Sequence, residues 1–379
     1  MNSESRRLWP ALFTLVGTTI GAGILALPYT FMQSGLLYGV AHLLVVLVLT
    51  LLMNLTYAEI LVDIRGKHQL AGYVNIFLGS KGKYLATIAL VVGAYGALLA
   101  YTTQSGVFLN TLFPSISAQT FSVLFYGFVV AVTLMNLKFF SMIELAMVLS
   151  LLALMSIIVS LGIPQMSVDN LSTVGRSLEH ILLPYGVLLF AFSGYSVLPE
   201  IGRITQYDPS LLKKAILGGT GLVALVYLGF STVVLGVSGQ GTSQDGITGL
   251  LPFLETHIVQ MGIVIGVLAI GTSFISMGHV LRDLYQEDLS LSGPLAWFLA
   301  VYPSLLLFLA GQLSFVRILE FTGALTVGLS GILLFIMYIM LSKDPKREFS
   351  VIKVPRTIMY IAMVIFASGV LYEIVRNFA

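Results

Sequence analysis

A chain of 379 residues that is 57% hydrophobic and only 9% charged falls outside the range of ordinary soluble domains, where about a quarter of residues carry charge. A net charge of +2 with no long basic tract excludes a nucleic-acid partner on electrostatic grounds, and the absence of cysteine excludes disulfides, thiol catalysis and cysteinyl metal sites. Apolar runs long enough to cross a bilayer recur from end to end, and the polar intervals between them are too short for a soluble domain. The composition therefore predicts an all-α polytopic membrane protein with one transmembrane domain, residues 1–379.

In chain order, Arg6 and Arg7 before an apolar run resemble a secretory signal, but that run is too long for a signal core and carries Pro10, so it counts as the first span. Hydropathy predicts eleven spans, at about 8–33, 36–62, 84–112, 120–137, 141–163, 178–202, 211–238, 257–281, 293–311, 314–341 and 354–377. Placing the N-terminus in the cytoplasm puts every lysine and arginine inside except Arg176, Arg317 and Arg376, an asymmetry that supports both the count and the orientation. The C-terminus is then external, and the short loops point to a prokaryotic plasma membrane. The expected functional unit is a monomer in the lipid bilayer.

The first span is interrupted. Gly17, Gly21 and Gly23 lie in the string GTTIGAGILALP, closed by Pro28, and each glycine costs a helix interior about 1 kcal/mol relative to alanine. Lipid tolerates irregular backbone only where protein or a water-filled cavity satisfies it, so the break is a candidate binding site. The connection Arg65–Lys83 carries Leu70, Tyr73, Val74, Phe77 and Leu78 at helical spacing, which predicts a short helix lying at the membrane interface. The sixth span echoes the first: GILALP at Gly23–Pro28 returns as GYSVLP at Gly194–Pro199. Five spans separate the two, so the halves are read as inverted repeats, 8–163 and 178–341, with 354–377 as an added helix. The connection Gly239–His257 begins glycine-rich and turns apolar, and is either a cap over a cavity or an ordinary surface loop.

A helix broken at mid-membrane leaves free N–H groups at the start of its second half and free carbonyls at the end of its first. Amides attract a carboxylate and carbonyls an ammonium or sodium ion, so two broken helices side by side suit the backbone of an amino acid. Neither break contains Asp, Glu, Lys or Arg, which argues for a neutral side chain, aromatic or medium aliphatic. The competing explanation is that the glycines only allow close helix packing.

The string GTTIGAGILALP with Tyr29–Leu36 resembles the first span of the hydroxy- and aromatic-amino-acid permeases within the amino acid/auxin permease group. AYTTQSG at Ala100–Gly106, LPEIGR at Leu198–Arg203 and SFISMGHVLRDLYQ at Ser273–Gln286 are compatible with that resemblance. It implies the five-plus-five inverted-repeat fold of the amino acid–polyamine–organocation superfamily, leucine-transporter-like, with helices 1 and 6 discontinuous and alternating access as the mode of action. By the same resemblance, amides of Gly21, Ala22 and Gly23 meet the substrate carboxylate, and carbonyls of Ala191, Phe192 and Ser193 meet its amine. Tyr101 offers a hydroxyl or an aromatic wall, and Phe192 and Tyr195 shape the side-chain pocket, against the alternative of core packing. On this reading Gly23→Leu abolishes binding in a protein that still folds.

Sodium-coupled members of this fold hold an ion between carbonyls of the first span and hydroxyls of the eighth. Here the matching positions are Gly17, Ile20, Ala269, Thr272 and Ser273. Proton-coupled relatives often use a lysine in span five, and 141–163 contains none. Both points favour Na+. Against them, the permeases resembled in the first motif are generally H+-coupled, and adjacent Thr and Ser commonly bond their own helix, so H+ coupling stays open.

Few ionisable residues fall in the spans: Glu59, Asp63, Glu144, Glu200, and Glu320 beside Arg317. Glu200 and Arg203, one turn apart after Pro199, are read either as an inner gate or as a local pair. His42, His180 and His279 are scattered and are read as packing or interfacial residues. No G-x-S-x-G, H-E-x-x-H or acidic cluster supports an enzyme, and no cofactor is expected beyond the coupling ion. The reading is a symporter for neutral L-amino acids, with a channel as the alternative of another class. Counterflow separates those two, because only a carrier exchanges labelled substrate against a gradient.

Overall fold

The computed structural model describes residues 4–66, 68–134, 140–172, 177–311, 314–343 and 349–378, and among them every regular element is helical. α1 (Ser5–Thr19) and α2 (Gly23–Ser34) form the first span, bent by 60° at the break between them. Ile20 leaves α1 in an extended conformation (φ −80°, ψ 97°), so the helical ladder stops three residues after Gly17. Gly35, at φ 87°, turns the chain directly into α3 (Leu36–Asp63), a conformation that a side chain would resist.

α4 (Leu70–Leu112) is 43 residues long and kinked at Gly79, whose φ of 65° and ψ of −165° are not helical. The expected short helix thus exists as the first arm of α4. Part of its apolar stripe packs on protein: Leu70, Tyr73 and Val74 are buried, Tyr73 standing edge-on to Tyr57 of α3. α5 (Ala118–Thr133) begins at Ser117, whose side chain accepts the Thr120 amide, a cap worth about 1 kcal/mol. α6 (Phe140–Gly162) and the single turn α7 (Val168–Leu171) complete the first half.

The sixth span is broken too. α8 (Leu178–Ala191) ends, Gly194–Val197 form one tight 3-10 turn, and α9 (Leu198–Ile204) resumes the span. α10 (Pro209–Ser238) starts on an Asp208 cap with proline in the first turn, where its missing N–H costs nothing. α11 (Thr256–Asp283), α12 (Gly293–Ala310), α13 (Phe315–Leu341) and α14 (Arg356–Phe378) follow. Among the described residues nine helices are long and apolar enough to cross a membrane, and α1 with α2 qualify together as a tenth. The expected count of eleven rests on α5, whose 16 residues are short for a span.

The broken helices lie at the centre, α2 against α8 and α1 against α10, with α13 packed on α4, α8 and α14. Glycines set the closest approaches: a Cβ on Gly323 would lie 2.1 Å from the Gly186 carbonyl oxygen, which joins α13 to α8 backbone to backbone. The 239–257 connection is ordered over α2. The Asp245 carboxylate accepts the amides of Ile247 and Thr248 at 2.9 and 2.7 Å, and a Cβ on Gly246 would meet the Leu25 carbonyl oxygen at 2.6 Å.

Candidate functional site

The two breaks touch. A Cβ on Gly194 would fall 2.0 Å from the Thr19 hydroxyl, and one on Gly23 would fall 2.9 Å from the Ala191 Cα. Gly23 is therefore a packing glycine between α2 and α8, whatever its amide does. Gly21 differs, because a Cβ there meets nothing within 4 Å. Among the described residues, no backbone hydrogen bond starts from the Gly21 or Ala22 amide, while the Gly21 and Ala22 carbonyls accept from Ile24 and Leu25 at 3.3 and 3.2 Å. These amides sit at the start of α2, where the helix dipole favours an anion.

Beside the break lies a cavity of about 200 Å³, lined by Gly17, Thr18, Ile20 and Gly21 of the first span, Tyr101 of α4, Met147, Val148 and Leu151 of α6, Ser196, and Ala269, Thr272, Ser273, Ser276, Met277 and Val280 of α11. All five positions matched to a cation site, Gly17, Ile20, Ala269, Thr272 and Ser273, thus border one space, together with Gly21 and Tyr101 from the substrate set. The Thr272 hydroxyl donates to the Ala269 carbonyl at 3.0 Å. The residues that border this cavity can offer carbonyl and hydroxyl oxygens, which are the ligands suited to a hard monovalent cation. Most of the lining beyond the breaks, Met147 to Leu151 and Ser276 to Val280, lies toward the side of the molecule on which α1 begins.

The rest of the expected substrate set lies off this cavity. Ala22, Gly23, Ala191, Phe192 and Tyr195 are buried, Ser193 is half-buried, and none borders it. The Phe192 carbonyl accepts the Gly194 amide at 2.8 Å, and the Tyr195 hydroxyl pairs with the Ser330 hydroxyl of α13 at 3.0 Å. The Ala191 carbonyl is engaged by a residue that the sequence did not single out. Tyr227 of α10, wholly buried, places its hydroxyl 2.7 Å from the Ala191 carbonyl oxygen and 2.9 Å from that of Thr19. Its ring stands edge-on to Phe192, centroids 5.0 Å apart.

Ionisable residues divide between the two sides of the molecule. Toward the side where α1 begins, Glu200 and Arg203 pair with each other one turn apart and are half exposed. The Glu59 carboxylate, fully buried at the end of α3, accepts the amides of Ser350, Val351 and Ile352 at 3.1, 2.7 and 3.1 Å, so it anchors the segment before α14. Asp63 is exposed at the last residue of α3. On the opposite side, Arg317 bonds Glu179 and Glu320, and Arg376 bonds Glu179 and Glu320, each at 2.6 Å, with Glu373 at 3.6 Å. The expected Arg317–Glu320 pair is there, as part of a network across α8, α13 and α14. His180 bonds Ser177 at the start of α8, His42 bonds the Tyr38 carbonyl of its own helix, and His279 is half-buried on α11. The side chain of Glu144 and the residues Lys67, Lys138, Arg176, Lys346 and Arg347, counted for orientation, lie outside the described residues.

Sequence reasoning missed Tyr227 and Ser196, and it missed the α6 wall at Met147, Val148 and Leu151. Tyr227 carries no motif, and an apolar helix interior gives no local signal for a hydroxyl aimed at two breaks far away in sequence. Ser196 was legible, since it lies within the GYSVLP repeat.

The family described as the tryptophan/tyrosine permease family matches over residues 4–375. The tyrosine-specific transport system 1 of Haemophilus influenzae is 23% identical over 294 residues, covering 73% of this chain and 72% of that protein. The glutamine transporter 2 of Aliivibrio fischeri is 24% identical over 370 residues, covering 90% and 91%. Among solved structures, MhsT in its crystal complex with L-phenylalanine superposes with a TM-score of 0.62 over 95% of this chain and 98% of that one, at 15% identity. That likeness concerns the fold, the leucine-transporter-like architecture expected from the sequence.

Proposed function

The chain belongs to the tryptophan/tyrosine permease family, and on that premise we propose that it is a secondary active transporter of neutral L-amino acids, coupled to Na+ and working by alternating access. The observation that carries this reading is the shared cavity: the Gly21 amide end of α2 and Tyr101 border the same space as Gly17, Ile20, Ala269, Thr272 and Ser273. An amino acid and a cation bound there would each stabilise the other's site, which is what symport requires. Relatives named for tyrosine and for glutamine transport agree with an uncharged side chain, and the aromatic Tyr101 favours an aromatic one. The halves 8–163 and 178–341 are the inverted repeats, and 354–377 is an addition that packs on the second. On this reading the N-terminus is cytoplasmic, the C-terminus external and the working unit a monomer, and the cavity on the side where α1 begins supports an inward-facing arrangement.

Proteoliposomes test the reading. Uptake of labelled tyrosine, tryptophan, phenylalanine, leucine or glutamine is expected to require a Na+ gradient and to support counterflow. Uptake unchanged when choline replaces Na+, with a proton gradient imposed, would transfer the assignment to H+ coupling. Loss of counterflow with retained flux would make the protein a channel.

A further inference from the structure

We propose that Tyr227 is a positioning residue that pins the two helix breaks together, so that the carboxylate-binding and amine-binding ends of the site hold one spacing. Thr19 is the last residue of α1 and Ala191 the last of α8. Each therefore carries a carbonyl from the unpaired last turn of a half-helix, at the negative end of its dipole. Two such ends converging in a buried place repel unless a positive group lies between them. The Thr19 hydroxyl does not serve, because it donates to the Leu15 carbonyl of its own helix at 2.7 Å. Tyr227 supplies the group from inside the protein: its O–H stands 2.9 Å from one carbonyl oxygen and 2.7 Å from the other.

A hydroxyl has one proton, so it serves the two oxygens as a three-centre bond or by switching between them. That property suits a joint. When α1 moves relative to α8, the proton stays with one carbonyl and the other is released to water, without a buried charge being exposed. Tyr227 lies on α10, which packs against both α1 and α2, and Phe192 edge-on to its ring fixes the direction of the hydroxyl. The Ala191 carbonyl, which lies off the cavity in this structure, would then offer its remaining lone pair to the amine of a substrate bound at the Gly21 end once the breaks move, at a distance that Tyr227 sets. This last step rests on the function proposed above; the pin itself does not.

The test is Tyr227→Phe, which removes one oxygen and keeps the ring on Phe192. The control is Ser231→Ala, one turn on in α10, whose buried hydroxyl has no hydrogen-bond partner among the described residues. Two readouts are measured on the purified full chain: amino-acid affinity by thermal shift or scintillation proximity, and hydrogen–deuterium exchange of peptides covering 17–24 and 189–197. In Tyr227→Phe, affinity is expected to weaken about tenfold, the scale of one buried hydrogen bond, and exchange to rise in both breaks together. In Ser231→Ala neither is expected to move. Affinity within twofold of wild type, or exchange that rises at only one break or uniformly through the protein, overturns the pin. If the wild type binds no amino acid, the transport reading fails and the exchange arm alone decides about Tyr227. If Tyr227→Phe does not fold, native-state exchange of the wild type decides: the pin requires the two segments to open as one unit, and independent opening overturns it.

Discussion

The two sides of the molecule each hold a cavity, and the two are built from different chemistry. On the side where α1 begins, the space of about 200 Å³ is bordered by glycines, hydroxyls and apolar side chains, with no Asp, Glu, Lys or Arg among its described lining residues. On the opposite side a space of about 140 Å³ is bordered by Glu179, His180, Arg317 and Arg376, with Tyr29, Gln33 and Gln244. There α8, α13 and α14 are stitched by Arg317 and Arg376 on three carboxylates. Among the described residues the first side shows the solvent-screened Glu200–Arg203 pair, the Glu59 carboxylate on the amides of Ser350, Val351 and Ile352, and a tether in which Tyr73 and Tyr207 both donate to the Gly66 carbonyl at 3.3 and 3.2 Å. The contrast teaches where charge joins the helices. On the far side ion pairs with buried members link α8, α13 and α14, whereas the near-side ion pair named here runs within one short helix.

The sharpest way to break the comparison is Arg376→Ala. Glu320 and Glu373 are almost fully buried, and Arg376 contacts both. Removing one member of a buried pair costs about 3–5 kcal/mol where its partner is left without a counter-charge; Arg317 still reaches Glu320 at 3.2 Å, so the loss falls chiefly on Glu373. Thermal melting in detergent is expected to fall steeply, by more than for any substitution named below, and an unchanged melt would mean that the network is ornamental. Glycine substitutions at the first break come next and separate its two roles. Gly23→Ala must push its Cβ against the Ala191 backbone at 2.9 Å, a strain of about 1–3 kcal/mol, so it lowers the melting temperature along with binding. Gly21→Ala meets open space and is expected to keep the melt while weakening substrate binding. The earlier expectation that Gly23→Leu would leave the fold intact does not survive this geometry, and Gly21 is the position at which binding can be tested cleanly.

That reversal shows what the sequence made legible. Helix interruption is local chemistry, written in glycine spacing and Pro28, so both breaks were read from the chain and both exist within the expected spans. That Thr272 and Ser273 border the same cavity as the first break follows what the family resemblance implied, since adjacent hydroxyls on an apolar helix carry by themselves no sign of what they face. What each glycine faces was not legible. Gly21 and Gly23 are two residues apart and nearly opposite on a helix, so which one faces the cavity depends on the bend angle, which no spacing records. Tyr227 was hidden for the same reason: its meaning comes from two carbonyls, one in each break. The stripe at Leu70, Tyr73 and Val74 was read correctly as helical, but a stripe does not say whether lipid or α3 covers it.

Within the near-side cavity, Thr272→Ala and Ser273→Ala sharpen the comparison by removing hydroxyls without touching charge. Each is expected to raise the Na+ concentration for half-maximal substrate binding about tenfold, with the melt in Na+-free buffer unchanged, since the Thr272 hydroxyl bonds only its own helix among the described residues. An unaltered Na+ dependence in both would remove the ion from this site.

The smallest effect belongs to Arg203→Ala. Glu200 and Arg203 are about half exposed and three residues apart on the same short helix, α9. An ion pair of this kind contributes about 0–1 kcal/mol, screened further by salt. If the pair were a gate, its loss would change the rate of opening and therefore uptake several-fold, with the effect diminishing at high salt. The structure gives neither residue a salt-bridge partner on another helix among the described residues, and a gate must join parts that move apart. Arg203→Ala is therefore expected to leave the melt unchanged and to alter uptake by less than twofold at any ionic strength. A larger, salt-dependent change would show that the pair meets a partner in the state that closes the near side, which would make the two sides of the molecule alike in how charge holds them shut.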